Sequence, residues 1–260
     1  MGTKNKEIPE EEVTSVTESV YDFDIYYAEA WSRRQGSFSF GLANNLIKYL
    51  KANHIYVNSV LDVCSGSGEF ISIMRNICTD CMGVDNADGY LSYVATKYGD
   101  INFQKVDKLY SFKLKRKFDL ISCNRDVINM FTKWSEWQEF FKTAYDHLVK
   151  NGILMFDFYT KKKLDGWNEL LFEQQDGLDY VSSVKQNNGY TIINETYYLK
   201  ETFSLVHKTG DIMVETWFET ENIISALKQA GFKTIKIADY ELNAVEDYFS
   251  MDRIHILATK

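Results

Sequence analysis

Short apolar runs alternate with segments of helical spacing along the middle of this chain. Residues 59–63 form a compact apolar run suited to a buried parallel strand, and positions 69–77 then space their hydrophobics as a helix does. A second strand ends at Asp85. Further strands are predicted at 101–106, 118–122 and 153–158, with a helix over 134–148. Leu42, Leu46, Ile47 and Leu50 mark the helix that leads into the first strand. This alternation predicts a parallel sheet with helices on both faces.

The rhythm changes after Thr160. Residues 180–218 are rich in Val, Ile, Thr and Tyr; Asn188-Gly189 is a two-residue hairpin signal, and Lys208-Thr-Gly-Asp211 reads as a second turn. A small antiparallel sheet of three or four strands is expected before the last helix at 221–230. Its edges either cover a cleft or pair between subunits. The polar, acid-rich residues 1–19 read as a frayed tail or a loose first helix. The next stretch packs Tyr21, Tyr26, Tyr27 and Trp31 beside Arg33 and Arg34, and such a segment can cap a cleft. The expected division is a tail and aromatic lid at 1–36, a core at 37–165 and 219–260, and an insertion at 166–218.

With 260 residues, 45% hydrophobic and 15% aromatic, the chain can bury a substantial core as one domain with an insertion. Met1-Gly-Thr-Lys-Asn-Lys6 has no apolar leader pattern, and no later run approaches the roughly 18 apolar residues of a membrane span. A soluble cytoplasmic enzyme is the expectation. Twenty-nine basic residues against 37 acidic ones give a net charge of −8, and the basic clusters are short, which disfavours a nucleic-acid partner. Cys78-Thr-Asp-Cys81 invites a metal or redox reading, yet no second such pair and no paired histidines complete a zinc set. No metal is expected, and His255 is expected inside a terminal strand.

The candidate chemistry sits in the first turn. In Asp62-Val-Cys-Ser-Gly-Ser-Gly68 the glycines let backbone approach a ligand closely, and Asp85, seventeen positions beyond Gly68, emerges at the tip of the neighbouring strand. A carboxylate there can accept both hydroxyls of a ribose. A dinucleotide loop wants a third glycine where this chain has Ile71. The run resembles motif I of class I S-adenosylmethionine methyltransferases. Further resemblance lies in Phe118-Asp-Leu-Ile-Ser-Cys-Asn124, in 148–157, in Ala230-Gly-Phe232 and in 252–260, so it covers roughly four fifths of the chain.

That resemblance implies a Rossmann-like, doubly wound α/β fold with a mostly parallel seven-stranded sheet and a small antiparallel β insertion over the substrate side. It implies S-adenosylmethionine as cofactor, S-adenosylhomocysteine as product, and these roles. Gly66 and Gly68 contact the methionine part through backbone, Asp85 and Asn86 meet the ribose side, and Asp107 and Lys108 meet the adenine, with a solvated loop acid as the other reading of Asp107. Asp62 and Cys64 belong to the glycine turn, Asp62 holding it from behind. Asn124 and Arg125 line the route of the methyl group. Arg125-Asp-Val-Ile-Asn129 resembles a segment of antibiotic-sugar and glycine-type N-methyltransferases, in which Asp126 and Asn129 either cap a turn or meet substrate.

Methyl transfer from a sulfonium needs alignment and dryness more than side-chain chemistry. Asp157, at a strand end, is the expected group to orient an amine and help move its proton, or else a cap on the following turn. Tyr21 and Tyr27 are expected beside the reacting centre, with Tyr26, Trp31, Arg33, Tyr159 and Asn129 toward substrate; stacking and lid packing are both open for the aromatics. Arg33 or Arg34 can bind a carboxylate. Ser122-Cys-Asn-Arg125 lacks the prolines that accompany methylation of nucleic-acid bases. The acceptor expected is an amine on a small molecule or short modified peptide, as in natural-product tailoring, handled by a monomer or homodimer. An O-methyltransferase and a non-catalytic binder of the cofactor are the alternatives.

Overall fold

The computed structural model describes residues 23–175, 177–200 and 205–260. Tyr21 and the expected tail at 1–19 lie outside the described residues. Helix α1 (Ile25–Ala52) leads into strand β1 (Ser59–Val63), α2 (Glu69–Met74), β2 (Asp80–Asp85), α3 (Asp88–Lys97), β3 (Asn102–Lys105) and β4 (Phe118–Cys123). A 3₁₀ turn (Val127–Met130), α4 (Trp134–His147), β5 (Leu148–Tyr159) and α5 (Lys161–Gly166) follow. Then come β6 (Glu169–Gln175), β7 (Leu178–Asn187), β8 (Tyr190–Lys200) and β9 (Val206–Glu215), before α6 (Thr220–Ala230), β10 (Thr234–Ala238) and β11 (Arg253–Thr259).

The main sheet has seven strands in the order β10-β11-β5-β4-β1-β2-β3, parallel except where β11 pairs with β5 and β10. Its strands are apolar on both faces because helices cover both: Val60, Leu61 and Val63 of β1 and Leu120 and Ile121 of β4 are all buried. The expected α/β architecture is therefore present. Strand order reverses between β1 and β4, and that is where an open sheet of this kind leaves a crevice at its carboxyl ends.

The insertion is a separate four-stranded antiparallel sheet, β6-β7-β8-β9. Asn188 and Gly189 make the expected two-residue hairpin between β7 and β8, both at positive φ (50° and 84°). The turn expected at 208–211 is absent: these residues lie inside β9, where Gly210 pairs with Thr196. A Cβ on Gly210 would stand 2.3 Å from the Glu195 carbonyl oxygen, so the glycine serves a close strand contact.

The boundary expected at residue 36 falls inside one continuous helix. Asp24 caps α1 by accepting the Tyr27 N–H at 2.7 Å, and small buried residues (Ala28, Ala30, Ser32, Gly36, Ser39) let the helix run close over α2 and α3 without a break. Its first turns join the insertion through a third apolar cluster in which Tyr27 and Ala30 meet Tyr90, Tyr180, Tyr197 and Leu199. His255 is buried within β11, as expected. Cys78 and Cys81 are buried free thiols directed at the backbone carbonyls of Met74 and Cys78. Among the described residues no group of His, Cys, Asp and Glu is arranged to hold a metal ion.

Candidate active site

A cavity of about 730 Å³ lies at the carboxyl ends of the parallel strands, between α1 and the antiparallel sheet. At one end it is bounded by the turn after β1, in which Cys64 and Gly66 both have positive φ (57° and 52°). Asp62 supports this turn from within β1. Its carboxylate accepts the Ser65 hydroxyl at 2.8 Å and the Ser122 hydroxyl at 2.6 Å, while burial pushes its pKa up to about 7.

Asp85, at the tip of β2, accepts the Gly66 N–H at 2.9 Å with one oxygen and the N–H groups of Asn86 and Ala87 with the other. It ties the glycine turn to β2, and burial raises its pKa despite these three donors. Asn86, Asp107 and Lys108 line the same end. Gly68 does not. It caps α2 at φ 82°, and a Cβ there would press on Phe103 and Tyr98 at 3.2 Å, so its role is helix packing. Glu69, which the motif left unassigned, lines the wall and accepts hydroxyls from Ser32 and Ser67.

Asn124, at the tip of β4, is 6% exposed, and among the described residues neither atom of its amide has a hydrogen-bond partner. A buried amide left unpartnered in a cavity wall is available to a ligand. The Arg125 guanidinium stands over Trp31 (4.5 Å) and Phe38 (4.9 Å) and donates to the Gln35 carbonyl, which fastens α1 across the strand tips.

Several expected substrate and catalytic residues stand elsewhere. Asp157 is fully buried outside the cavity lining; it accepts the N–H groups of Arg125 and Asp126 and pairs with Arg253, so it is an anchor for the loop and has no oxygen directed at an acceptor. Burial alone would raise its pKa, but Arg253 and the backbone donors hold it below the usual carboxylate range. Asn129 is a clamp, donating to the carbonyls of Tyr159 and Thr216 and accepting the Tyr159 N–H. Arg33 is half-exposed and pairs with Glu29 one turn back. Arg34 instead reaches the cavity, donating to Glu173 at 2.6 Å with its guanidinium 3.5 Å from the Tyr180 ring centre. Tyr26 stacks on His207 away from the cavity, at 3.8 Å between ring centres.

Tyr27, Trp31 and Tyr159 do line the cavity. The hydroxyls of Tyr27, Tyr180 and Tyr197 all donate to Glu195, a buried carboxylate on β8, whose pKa burial raises. Tyr159 sits under the Arg253 guanidinium, 4.1 Å from its ring centre, and burial pushes its hydroxyl up to about 12. Glu215, at the end of β9, is the other buried carboxylate of the insertion that faces the cavity. Neither glutamate was singled out from the sequence. The available signal was a carboxylate on the apolar face of a strand: Glu195 follows Ile193 and precedes Tyr197 in the alternation of β8.

Fold and cavity define a Rossmann-like α/β protein with a cavity across the strand tips, bounded by α1 and the insertion. The chain belongs to the methyltransferase domain family, which matches residues 30–237. Its fold is similar to that of an S-adenosylmethionine-dependent methyltransferase from Clostridium acetobutylicum ATCC 824 (TM-score 0.76, 20% identity, 84% of this chain and 90% of that one). It is also similar to CalS10, an amino pentose methyltransferase from Micromonospora echinaspora, solved with S-adenosylmethionine bound (TM-score 0.66, 17% identity, 99% of each chain). The sugar N-methyltransferase KedS8 from Streptoalloteichus gives a TM-score of 0.67 at 18% identity, over 100% of this chain and 96% of that one. The class read from the motifs is borne out.

Proposed function

We propose that the protein transfers a methyl group from S-adenosylmethionine to an amine of a small molecule or short modified peptide, as a tailoring enzyme of natural-product synthesis. The observation that carries this reading is a single cavity with two unlike ends. One end is the glycine turn with Asp85, Asn86, Asp107 and Lys108; the other is walled by tyrosines and by the buried Glu195 and Glu215. The unpartnered Asn124 amide and the side-chain-free turn at Gly66 fit a nucleoside with an amino-acid tail, and among the described residues nothing at that end is built for a pyrophosphate.

When bound, S-adenosylmethionine supplies an activated methyl carbon for in-line displacement. Asp85 accepts the ribose hydroxyls, Asp107 and Lys108 meet the adenine edge, and Gly66 presents backbone to the tail while Asp62 holds the turn. Asn124 orients the ligand at the junction of the two ends. Trp31, Tyr27 and Tyr159 close the space around the acceptor and keep water out. The amine reading draws support from CalS10 and KedS8, whose names record an amino pentose and a sugar nitrogen as acceptors. No helix of the described residues is long and apolar enough to cross a membrane, and we place the enzyme in the cytoplasm as a monomer or homodimer.

The test is direct. S-adenosylmethionine and S-adenosylhomocysteine should raise the melting temperature and NAD should not. Methyl transfer should then appear with a panel of amines and be weaker with matched alcohols. Cofactor binding without transfer to either panel favours a non-catalytic binder, and preferential transfer to alcohols favours an O-methyltransferase.

A further inference from the structure

Glu215 stands out among the buried charges of the cavity because, among the described residues, it has no cation to itself. It is 2% exposed, lines the cavity, and among the described residues its Oε2 has no hydrogen-bond partner. The neighbouring cation, Arg253, is already engaged by Asp126 and Asp157. One guanidinium therefore serves three carboxylates. Glu195 differs, since three tyrosine hydroxyls satisfy it. A buried carboxylate without a full counter-charge is costly and keeps its proton until a ligand supplies the missing charge.

Its placement is also fixed. Thr216, the next residue, donates its N–H to the Asn129 carbonyl at 2.9 Å and accepts from the Asn129 amide at 2.8 Å. Asn129 clamps Tyr159 in the same way. One buried amide thus sets both Glu215 and Tyr159 at the wall, which is how a recognition site is held to sub-ångström tolerance.

We propose that Glu215 receives the positively charged amine of the methyl acceptor and takes the proton that this amine gives up. The assignment rests on the methyltransferase reading and narrows its acceptor to an ammonium-bearing molecule. The nitrogen passes one proton to the Glu215 carboxylate, and its freed lone pair forms the bond to the methyl carbon as the carbon–sulfur bond breaks, with that electron pair remaining on sulfur. The proton leaves Glu215 to water on product release. The groups facing Glu215 are Asp126, Arg253 from β11, Glu195 from β8 and Tyr159 from β5. Burial, then Asp126, hold the empty carboxyl well above the usual range, so binding of a cation favours release of its proton.

The experiment is a calorimetric titration of the full chain, saturated with S-adenosylhomocysteine, using phenethylamine and its neutral counterpart 2-phenylethanol. The amine should bind at least about tenfold more tightly, with proton release visible as a dependence of the heat on buffer ionisation, and Glu215→Gln should abolish both the preference and the release. Equal affinity for the two probes, no binding of the amine, or a preference that survives in Glu215→Gln overturns the assignment. The unliganded Glu215→Gln protein should melt at or above the wild-type temperature, because an unbalanced carboxyl is removed; a fall of several degrees makes the residue structural and also overturns it. Failure of S-adenosylhomocysteine itself to bind sinks the methyltransferase reading, whereas its binding without amine preference sinks only the role of Glu215.

Discussion

Asp157 grips Arg125 by the backbone, accepting its N–H at 2.6 Å with one carboxylate oxygen while the other accepts the Asp126 N–H at 3.1 Å. Both gripped residues are left-handed, at φ 69° and 52°. Each such non-glycine conformation costs on the order of 1–3 kcal/mol and persists only where the surroundings dictate it. The same carboxylate pairs with Arg253, so one buried side chain holds the β4 tip, the strained loop and β11 together.

Replacing Asp157 with Ala should therefore act on stability first. It leaves Arg253 with Asp126 as its remaining ion-pair partner and frees two backbone donors, a loss of roughly 3–5 kcal/mol, or about 10 °C in melting temperature for a chain of this size. Below the melting transition the folded fraction should still bind S-adenosylhomocysteine, because Asp157 does not line the cavity. Thermal denaturation paired with calorimetry separates the two effects. A variant of wild-type stability with slowed transfer would return Asp157 to the acceptor site.

Asp62 gives a pH dependence of defined sign. Burial lifts its carboxyl to about 7 against the hydrogen bonds of Ser122 and Ser65, whereas in the unfolded chain it titrates near 3.9. The folded state holds the proton more tightly, so the stability associated with this group is present below about pH 4 and is lost as pH rises toward 7. The full loss is on the order of 4 kcal/mol. Asp62→Asn should match the wild type in acid and gain on it steadily up to pH 8, since serine hydroxyls can accept from the new amide. Melting curves from pH 4.5 to 8.5 check this, and parallel curves for the two proteins would contradict it.

Arg33 and Arg34 adjoin in sequence but should differ in consequence. Arg33→Ala removes an exposed pair with Glu29 and should change stability by less than about 0.5 kcal/mol. Arg34 is 11% exposed in its side chain and links α1 to Glu173 and Tyr180 of the insertion. Arg34→Ala should cost roughly 1–3 kcal/mol and loosen the contact between α1 and the insertion. Denaturant titration of both variants is the measurement.

The arginine pair also marks the limit of what the sequence discloses. Periodicity and glycine positions locate the parallel sheet, the turn at Gly66 and the acid at Asp85, because strand, turn and helix are local consequences of residue type. The hairpin at Asn188-Gly189 is legible for the same reason. Which of two neighbouring arginines faces the cavity depends on the phase of α1, which only its packing on α2, α3 and the insertion fixes. Gly210 looks like a turn residue until its partner strand is known, since a missing Cβ serves a close contact as well as a reversal. Asp157 carries the residue type of a catalytic acid, and its true partners, Arg253 and the Arg125 backbone, come from a distant strand and an unusual φ that no local pattern displays. Glu215 is ordinary in sequence and exceptional only in sharing its one facing guanidinium, among the described residues, with two other carboxylates.

Gly89 offers the sharpest test of how α1 is seated. It lies in the first turn of α3, and a Cβ there would come 1.7 Å from the Phe23 carbonyl oxygen and 2.4 Å from the Asp24 carbonyl carbon. Both obstacles are backbone, so neither can swing aside. Asp24 caps α1 and accepts the Thr209 hydroxyl at 3.1 Å, which makes this the point where α3, α1 and the insertion meet. Gly89→Ala should displace the start of α1, lowering stability by roughly 1–3 kcal/mol through overpacking. Tyr27 and Trp31 follow on the same helix, so their hold on the cavity should weaken with it. Hydrogen exchange of residues 25–35 should quicken while the amides of β1, β4 and β5 stay protected, because those strands do not touch the clash. Gly166→Ala is the control: an added Cβ there meets nothing within 4 Å, so melting temperature and exchange should both stay at wild-type values. Uniform quickening across the main sheet in Gly89→Ala would show that the start of α1 and the core unfold as one unit, and unchanged exchange at 25–35 would show that α1 is not seated on Gly89.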